Sequence, residues 1–159
     1  MTSHTRHISA ATYLAAAIGL CDQFSKWWII NQVLQASHSV YVTPFFNIVL
    51  VWNKGVTFGL FNHGYSRYLP YFFVGIASII LFLLLRWLWH TTSMLVALAL
   101  GLVIGGAIGN VIDRLRYGAV ADFLDFHAYG YHWPSFNLAD SAIVLGVGLL
   151  LLDSLVRGR

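Results

Sequence analysis

Two long runs without a charged residue constrain this chain more than any other feature. Tyr68 to Leu85 and Met94 to Ile112 are uncharged over 18 and 19 residues and consist almost entirely of apolar side chains. A helix rises about 1.5 Å per residue, so roughly 20 such residues cross the hydrocarbon core of a bilayer. The sequence therefore predicts two transmembrane helices, at about residues 68–89 and 94–113.

Two further apolar segments are less regular. Residues 8–30 are predicted as a first span, although Asp22 and Lys26 interrupt them. These two charges are four positions apart, so they can pair on one helix face and lower the cost of placing charge near hydrocarbon. A secretory signal peptide, with residues 8–21 as its apolar region, is the alternative for this segment. Residues 137–156 complete a set of four predicted spans.

The composition fits a membrane protein and excludes several other classes. Apolar residues make up 58% of the 159 residues and charged residues 9%, far from the roughly 25% charged residues of soluble domains. The net charge of +3 is spread out, without the basic cluster that follows a phosphate backbone, so no nucleic-acid partner is expected. Cys21 is the only cysteine, which excludes an internal disulfide and a multi-cysteine metal site.

The segments between the predicted spans are too long and too apolar to be simple connections. Residues 31–67 contain three runs rich in Val, Ile and Phe, and Asn53-Lys54-Gly55 between the last two is a hairpin signal. The runs are residues 40–42, 45–52 and 56–61. We predict a small sheet lying on the membrane surface. Residues 114–136 form a second folded loop, whose Tyr and Trp rings suit the headgroup layer.

The distribution of basic residues leaves the orientation in the membrane open. If four helices alternate, both folded loops lie on the same side. Basic residues then divide evenly between the two faces, so the positive-inside rule does not choose between them. One face would carry Arg6, Arg86, Arg157 and Arg159, and the other Lys54, Arg67, Arg114 and Arg116.

The acidic residues are the candidates for chemistry. The chain has six Asp and no Glu, and all except Asp153 lie toward one end of the predicted spans. Two carboxyl groups brought together at a partly dry surface do not both ionise, so one keeps its proton while the other acts as base. That arrangement is what an aspartyl hydrolase needs. Spacing alone leaves the choice of pair open among Asp113, Asp122, Asp125 and Asp140.

Several of these residues also have purely structural interpretations. Asp22 and Lys26 are interpreted first as a salt bridge that positions a helix. Asp113 with Arg114 is typical of an interfacial anchor, and Asp140 can cap the helix that it opens. Gly101, Gly105 and Gly109, at steps of four, predict a helix face that another backbone approaches closely.

Five sequence blocks, taken in order, resemble a known family. The blocks are Asp22-Gln23-Phe24-Ser25-Lys26, Asn53-Lys54-Gly55-Val56-Thr57-Phe58, Gly105-Gly106-Ala107-Ile108-Gly109-Asn110-Val111-Ile112-Asp113-Arg114, Val120-Ala121-Asp122-Phe123 and Phe136-Asn137-Leu138-Ala139-Asp140. Together they resemble the bacterial lipoprotein signal peptidases, signal peptidase II. The likeness extends from about residue 8 to residue 155, and its most specific block is the Gly-Gly-Ala-x-Gly-Asn-x-x-Asp-Arg run.

The resemblance implies an aspartyl endopeptidase of the bacterial inner membrane. The fold would be a four-helix transmembrane bundle with a small periplasmic sheet, both termini cytoplasmic and the site facing the periplasm. The catalytic pair maps onto Asp122 and Asp140. The substrate would be a prolipoprotein whose Cys already carries a diacylglyceryl group, cut just before that Cys. The family also implies a monomer in contact with membrane lipid, inhibition by globomycin-type cyclic peptides, and no metal or cofactor.

Other polar residues of the five blocks are candidates for supporting the pair. Amide and guanidinium groups donate hydrogen bonds to peptide carbonyls, which suits substrate binding. The candidates for substrate binding and support of the dyad are Asn53, Gly55, Asn110, Arg114 and Asn137. The residues expected to be structural are Asp22, Lys26 and Asp113. The segment around residues 53–61 is a candidate cover for the site.

Two other function classes compete with a peptidase. A proton-coupled transporter or small channel also uses intramembrane acids, but it predicts acids near the middle of several spans. A non-catalytic helper would pack through the glycine face and tolerate Asp122→Asn. The apolar interiors of the predicted spans favour chemistry at the surface over permeation.

Overall fold

The described part of the chain consists of four long α-helices and a small sheet. The computed structural model describes residues 3–35, 39–55 and 68–157. The helices are α1 Ser3–Trp28, α2 Leu69–His90, α3 Met94–Tyr117 and α4 Leu138–Arg157. The strands are β1 Ser39–Thr43, β2 Phe46–Asn53, β3 Val120–Ala128 and β4 Tyr131–His132. A π-helical turn, Ile29–Val33, follows α1.

Three of these helices, α2, α3 and α4, are long and apolar enough to cross a membrane. On α2, large apolar side chains such as Phe72, Ile79 and Phe82 are more than 60% exposed. A continuous apolar surface of this kind is typical of a helix that faces lipid. The protein is therefore a multi-pass membrane protein, as predicted. The helix α1 is as long but carries Asp22 and Lys26, and its crossing of the membrane stays a prediction.

The helix α3 lies at the centre of the bundle and packs against α1, α2 and α4. A Cβ atom added at Gly101 would lie 2.7 Å from the carbonyl oxygen of Ala11, and one at Gly105 would lie 2.6 Å from that of Ala15. These distances allow only glycine, so the small-residue face predicted from the sequence is the one that α1 contacts. On a neighbouring face, Gly106 leaves room for the carbonyl of Ala139 at the start of α4.

The sheet is antiparallel, with strand order β1-β2-β3-β4. The first two strands correspond to the predicted runs 40–42 and 45–52, whereas the run 56–61 lies outside the described residues. The central pair, β2 with β3, joins the two folded loops into one sheet. The small antiparallel sheet that we predicted is therefore confirmed, although its third and fourth strands come from the second loop.

The second loop begins later than the sequence suggested. The helix α3 continues to Tyr117 and ends at Gly118, whose φ of 71° allows its N–H to donate to the carbonyl of Arg114 at 3.1 Å. A glycine in the left-handed region is a common helix terminator. The chain then turns directly into β3, so Asp122 follows α3 after only a short turn.

A hydrophobic cluster holds β3 against the end of α1. It consists of Ile29, Leu34 and Phe123, all less than 9% exposed. On the other edge of this strand, the backbone N–H groups of Phe123 and Leu124 both donate to the carbonyl of Phe136, at 3.1 and 2.9 Å. This pairing places Phe136, two residues before α4, beside the two residues that follow Asp122.

Candidate active site

Asp122 lies in β3 and is 2% exposed. Asn53 Nδ2, at the end of β2, donates to its Oδ2 at 3.0 Å, and Asn137 Nδ2 donates to its Oδ1 at 2.7 Å. Burial raises the pKa of this carboxyl from 3.8 to about 6; the charge of Asp140 acts in the same direction, whereas the two amide donors and Lys26 oppose it. Asp122 is therefore suited to carry a proton.

Asp140 lies in the first turn of α4 and takes part in a reciprocal cap with Asn137. Its backbone N–H donates to Asn137 Oδ1 at 3.0 Å, and its own Oδ2 accepts from the backbone N–H of Asn137 at 3.2 Å. Asn110 Nδ2 donates to the other oxygen, Oδ1, at 2.8 Å. Negative charge is favoured at a helix N-terminus, so this environment suits an ionised carboxylate.

Asn137 brings the two acids together. It is fully buried and contacts both carboxyl groups, Asp122 through its side-chain amide and Asp140 through its backbone N–H. Its Nδ2 also donates to Asn110 Oδ1 at 3.2 Å. The two carboxyl groups that the family resemblance singled out therefore share one amide-rich site at the junction of β3 and α4.

A second pair of Asp residues lies directly beneath this site and encloses a lysine. Lys26 Nζ is 2.8 Å from Asp22 Oδ2 and 2.8 Å from Asp113 Oδ2, and the three residues are 0 to 2% exposed. The sequence predicted the Asp22–Lys26 pair on one face of α1 but not the third member from α3. Gln23 Nε2 donates to Asp113 Oδ1 at 2.9 Å. We call these residues, Asp22, Lys26 and Asp113, the buried triad.

Arg114 and Gly55 lie at the edge of the site, both against Phe73 of α2. The Arg114 guanidinium is 5.5 Å from the centre of the Phe73 ring and donates to the carbonyl of Asn110 at 3.2 Å. Among the neighbouring carboxyl groups, Asp140 has the strongest Coulombic interaction with this guanidinium. Gly55 has a φ of 79°, and a Cβ atom there would lie 2.7 Å from the ring. Phe73 was not predicted as a site residue, because an apolar residue in an apolar span carries no distinguishing signal.

Gly55 is also tied to the acid pair through Asn53. Its backbone N–H donates to Asn53 Oδ1 at 2.8 Å, while the amide nitrogen of the same side chain donates to Asp122. The Asn-x-Gly turn therefore aims Asn53 at the carboxyl group. Residues 56–61, which were candidates for a cover with residues 53–55, lie outside the described residues.

The remaining two Asp residues have their own partners outside the pair. Asp125 accepts from Asn47 at 3.1 Å and lies 2.8 Å from His132 Nδ1. Although burial acts in the opposite direction, the hydrogen bond from His132 contributes most to holding its pKa below 3.8. Asp153 pairs with Arg157 in the last turns of α4. Asp125 and Asp153 therefore lie outside the group of contacts that joins Asp122 and Asp140.

An open cavity of about 560 Å³ lies near the junction of β2 and α3, lined by Trp52, Lys54, Tyr117 and Ala119. Neither acid lines it, because Trp52 faces the opposite side of β2 from Asn53. Within residues 3–35, 39–55 and 68–157, no three His, Cys, Asp or Glu side chains are placed to bind one metal ion. A protonated carboxyl group beside a carboxylate can act as general acid and general base.

Comparison with known proteins agrees with this geometry. A sequence model described as signal peptidase (SPase) II matches residues 14–156. A lipoprotein signal peptidase of Azoarcus sp. (strain BH72) is 48% identical, over 92% of this chain and 82% of its own. One of Janthinobacterium sp. (strain Marseille) is 43% identical, over 99% of this chain and 98% of its own. These matches include all five blocks quoted above.

The fold is similar to that of two solved structures described as bacterial membrane enzymes. One is 32% identical with a TM-score of 0.77 and covers 92% of both chains. The other is 31% identical with a TM-score of 0.78 and covers 96% of this chain and 93% of its own. The family resemblance inferred from the five blocks is thus confirmed. This chain belongs to the signal peptidase II family of membrane proteases.

Proposed function

We propose that this protein is an aspartyl endopeptidase that removes signal peptides from diacylglyceryl-modified prolipoproteins, cutting just before the lipidated Cys. The observation that carries the proposal is the pair Asp122 and Asp140, which share Asn137 in a mostly buried site. The environments of the two acids differ, since one is buried in β3 and the other caps a helix. That difference divides the roles of acid and base between them.

In the proposed mechanism Asp140 is the base and Asp122 the acid. The Asp140 carboxylate removes a proton from a water molecule, whose oxygen attacks the scissile carbonyl carbon, while the Asp122 carboxyl donates its proton to the carbonyl oxygen. Collapse of the tetrahedral intermediate then breaks the C–N bond. The proton on Asp140 passes to the leaving amine, and Asp122 recovers its proton from the hydroxyl of the intermediate as the new carboxyl group forms.

The substrate backbone would be held by amide and guanidinium donors at the rim of the site. Asn53 and Asn110 already bond one acid each. Arg114 keeps further N–H groups beyond the one given to the Asn110 carbonyl, and these suit a peptide carbonyl or a developing oxyanion.

The proposal places the whole protein in the bacterial inner membrane with four spans, α1 being the first. The acid pair would then lie at the periplasmic face, where the sheet covers the ends of the helices. A substrate anchored by its diacylglyceryl group would present its Cys at that depth, because the acyl chains stay in the bilayer. We also propose that the protein acts as a monomer and that globomycin-type cyclic peptides inhibit it by occupying the site.

The proposal is tested with two forms of one substrate. Purified protein is incubated with a prolipoprotein carrying the diacylglyceryl group and with the same prolipoprotein lacking it, and the products are measured by mass spectrometry. The expected result is cleavage of the lipidated form alone, at the bond before the Cys. Asp122→Asn protein, purified identically, controls for contaminating proteases. Cleavage of neither form in lipid bilayers, or equal cleavage of both, would overturn the proposal.

A further inference from the structure

The buried triad contacts the backbone immediately before each acid of the proposed pair. Asp113 Oδ2 accepts from the backbone N–H of Ala121 at 3.1 Å, and Ala121 precedes Asp122. Asp22 Oδ1 accepts from the backbone N–H of Ala139 at 3.0 Å, and Ala139 precedes Asp140. Both carboxylates meet at the same atom, Lys26 Nζ. Two equivalent chains of contacts therefore run from one ammonium group to the two acids.

This geometry restrains where the two acids can lie. A hydrogen bond to the backbone N–H of the residue before an Asp fixes the peptide plane that ends at that residue's Cα. Because the Asp is the next residue, the bond limits where its backbone can lie. Ala121 and Ala139 are themselves 0% exposed, so neither has room to move aside. Gly109 allows α3 to pack closely against the triad, since a Cβ atom there would lie 2.5 Å from Asp22 Oδ2.

We propose that Lys26 is a positioning residue for the reaction: by holding Asp22 and Asp113 together it sets the separation of Asp122 and Asp140. The inference deepens the proposed function and rests on it. Two carboxylates without a cation between them are unfavourable in a dry site, so they would move apart or one would take up a proton. Either change alters the hydrogen bonds to the Ala121 and Ala139 amides, and with them the positions of the two acids.

Lys26 also acts on the pair by its charge, because it lies close enough to influence Asp122. Its positive charge holds the pKa of Asp122 lower than burial alone would leave it. The other groups facing Asp122 are Asp140 from α4, Asn53 from β2 and Asn137 before α4, with Arg114 of α3 acting from the rim. A change of charge in the triad should therefore move the pH profile of cleavage, which a purely structural defect would not do.

The first test replaces the lysine by an uncharged residue of similar length, Lys26→Met, in the full-length protein in bilayers. We expect kcat to fall about 100-fold, the cost of a displacement of roughly 1 Å at a reacting centre. KM should stay within about threefold, because Asn53 and Arg114 at the rim keep their contacts and Asn110 loses only the 3.3 Å hydrogen bond from Lys26. The alkaline limb of the pH profile should move to higher pH by roughly half a unit or more, since the carboxyl of Asp122 loses a stabilising cation.

The second test, Asp113→Asn, keeps the shape of the triad and the acceptor for the Ala121 N–H while removing a negative charge. In this variant the alkaline limb of the pH profile of cleavage should move in the opposite direction, to lower pH, with a smaller loss of kcat. This variant also keeps the inference testable if Lys26→Met fails to fold. The matched control is Asp153→Asn, which removes an Asp from an ion pair at the other end of α4 and should change neither kcat nor the profile.

Two results would overturn the inference. One is a pH profile that stays in place in Asp113→Asn and in any Lys26→Met protein that folds; the other is normal kcat in Lys26→Met. Failure of the proposed function is recognised separately, because wild-type protein would then not cleave the lipidated substrate at all. If wild-type protein cleaves and Asp122→Asn does not, only the positioning role is under test.

Discussion

The molecule contains two neighbouring pairs of Asp residues, and their surroundings differ in one respect. Asp22 and Asp113 enclose an ammonium group at 2.8 Å from each. Asp122 and Asp140 are surrounded by the amide donors of Asn53, Asn110 and Asn137, and in the part of the chain that the structure describes neither forms an ion pair with a cation.

In our proposal this difference separates a structural pair from a reactive one. The ammonium group lies in direct contact with both carboxylates of the buried triad and holds their oxygens in fixed ion pairs. Neutral amide donors orient the carboxyl oxygens of Asp122 and Asp140 without supplying a positive charge, and burial raises the pKa of Asp122 to about 6. The same residue type therefore serves as a fixed support in one pair and, in our proposal, as acid and base in the other.

The largest expected effect comes from removing either acid of the proposed pair. Asp122→Asn or Asp140→Asn should lower kcat by on the order of 10⁴-fold, because the acid or the base is lost while the shape is kept. Asp125→Asn is the matched control, since Asp125 is only three residues away but bonds Asn47 and His132 instead. Single-turnover cleavage of the lipidated substrate measures all three variants, and comparable losses in all three would contradict the distinction between the pairs.

The next effect concerns the amide that joins the pair. Asn137→Ala removes the donor to Asp122 and the cap of α4 together, so we expect kcat to fall by roughly 10² to 10³-fold. The lost cap should also cost about 1 kcal/mol of stability. Asn137→Asp keeps the cap but replaces the donor by a like charge, which should leave activity equally low and stability higher. Thermal unfolding in detergent, measured beside kcat, separates the two losses.

The pH dependence sharpens the comparison. The pKa of Asp122 is raised from 3.8 to about 6, chiefly by burial, so below that pH it carries the proton that the proposed acid must donate. As the pH rises through 6 that proton is lost, and kcat/KM should fall up to about tenfold per unit. Initial rates between pH 4 and 8 with lipidated substrate test this expectation. A kcat/KM that keeps rising up to pH 8 would assign the acid role elsewhere.

The smallest effect is a gain of stability. Because the pKa of Asp122 is higher in the folded chain than in the unfolded one, its ionised form is disfavoured by folding above about pH 4. Asp122→Asn, which is always neutral, should therefore raise the melting temperature by a few degrees at pH 7. The gain should shrink as the pH falls from 6 toward 4. A variant that melts at the wild-type temperature at both pH values would contradict the proposed cost of burying this carboxylate.

Much of the fold followed from short-range patterns in the sequence. The three apolar spans and the glycine face at 101, 105 and 109 depend on periodicity, which the sequence states directly. The strand β3 was missed because Val120 to Ala128 is buried along most of its length and does not alternate clearly between apolar and polar residues. Its partner β2 lies more than 60 residues away in the chain, so no local signal indicates the pairing.

The candidate site could be predicted from the sequence only in part, for a similar reason. Residues alone left four Asp candidates open, because a carboxylate in the triad and one in the pair look alike without their neighbours. The family resemblance selected Asp122 and Asp140, and the structure adds the contacts with Asn137 that bring them together. The roles of Ala121 and Ala139 had no sequence signal, since they act through backbone N–H groups that every non-proline residue has.

The hydrogen bond from Ala139 to Asp22 joins residues 117 positions apart, and this span has a consequence for biosynthesis. Asp22 is synthesised long before Ala139, so this hydrogen bond forms only after the start of α4 has been made. Asp140 follows Ala139 directly. In our proposal, a chain that still lacks α4 therefore lacks one of the two acids and cannot hydrolyse a peptide bond.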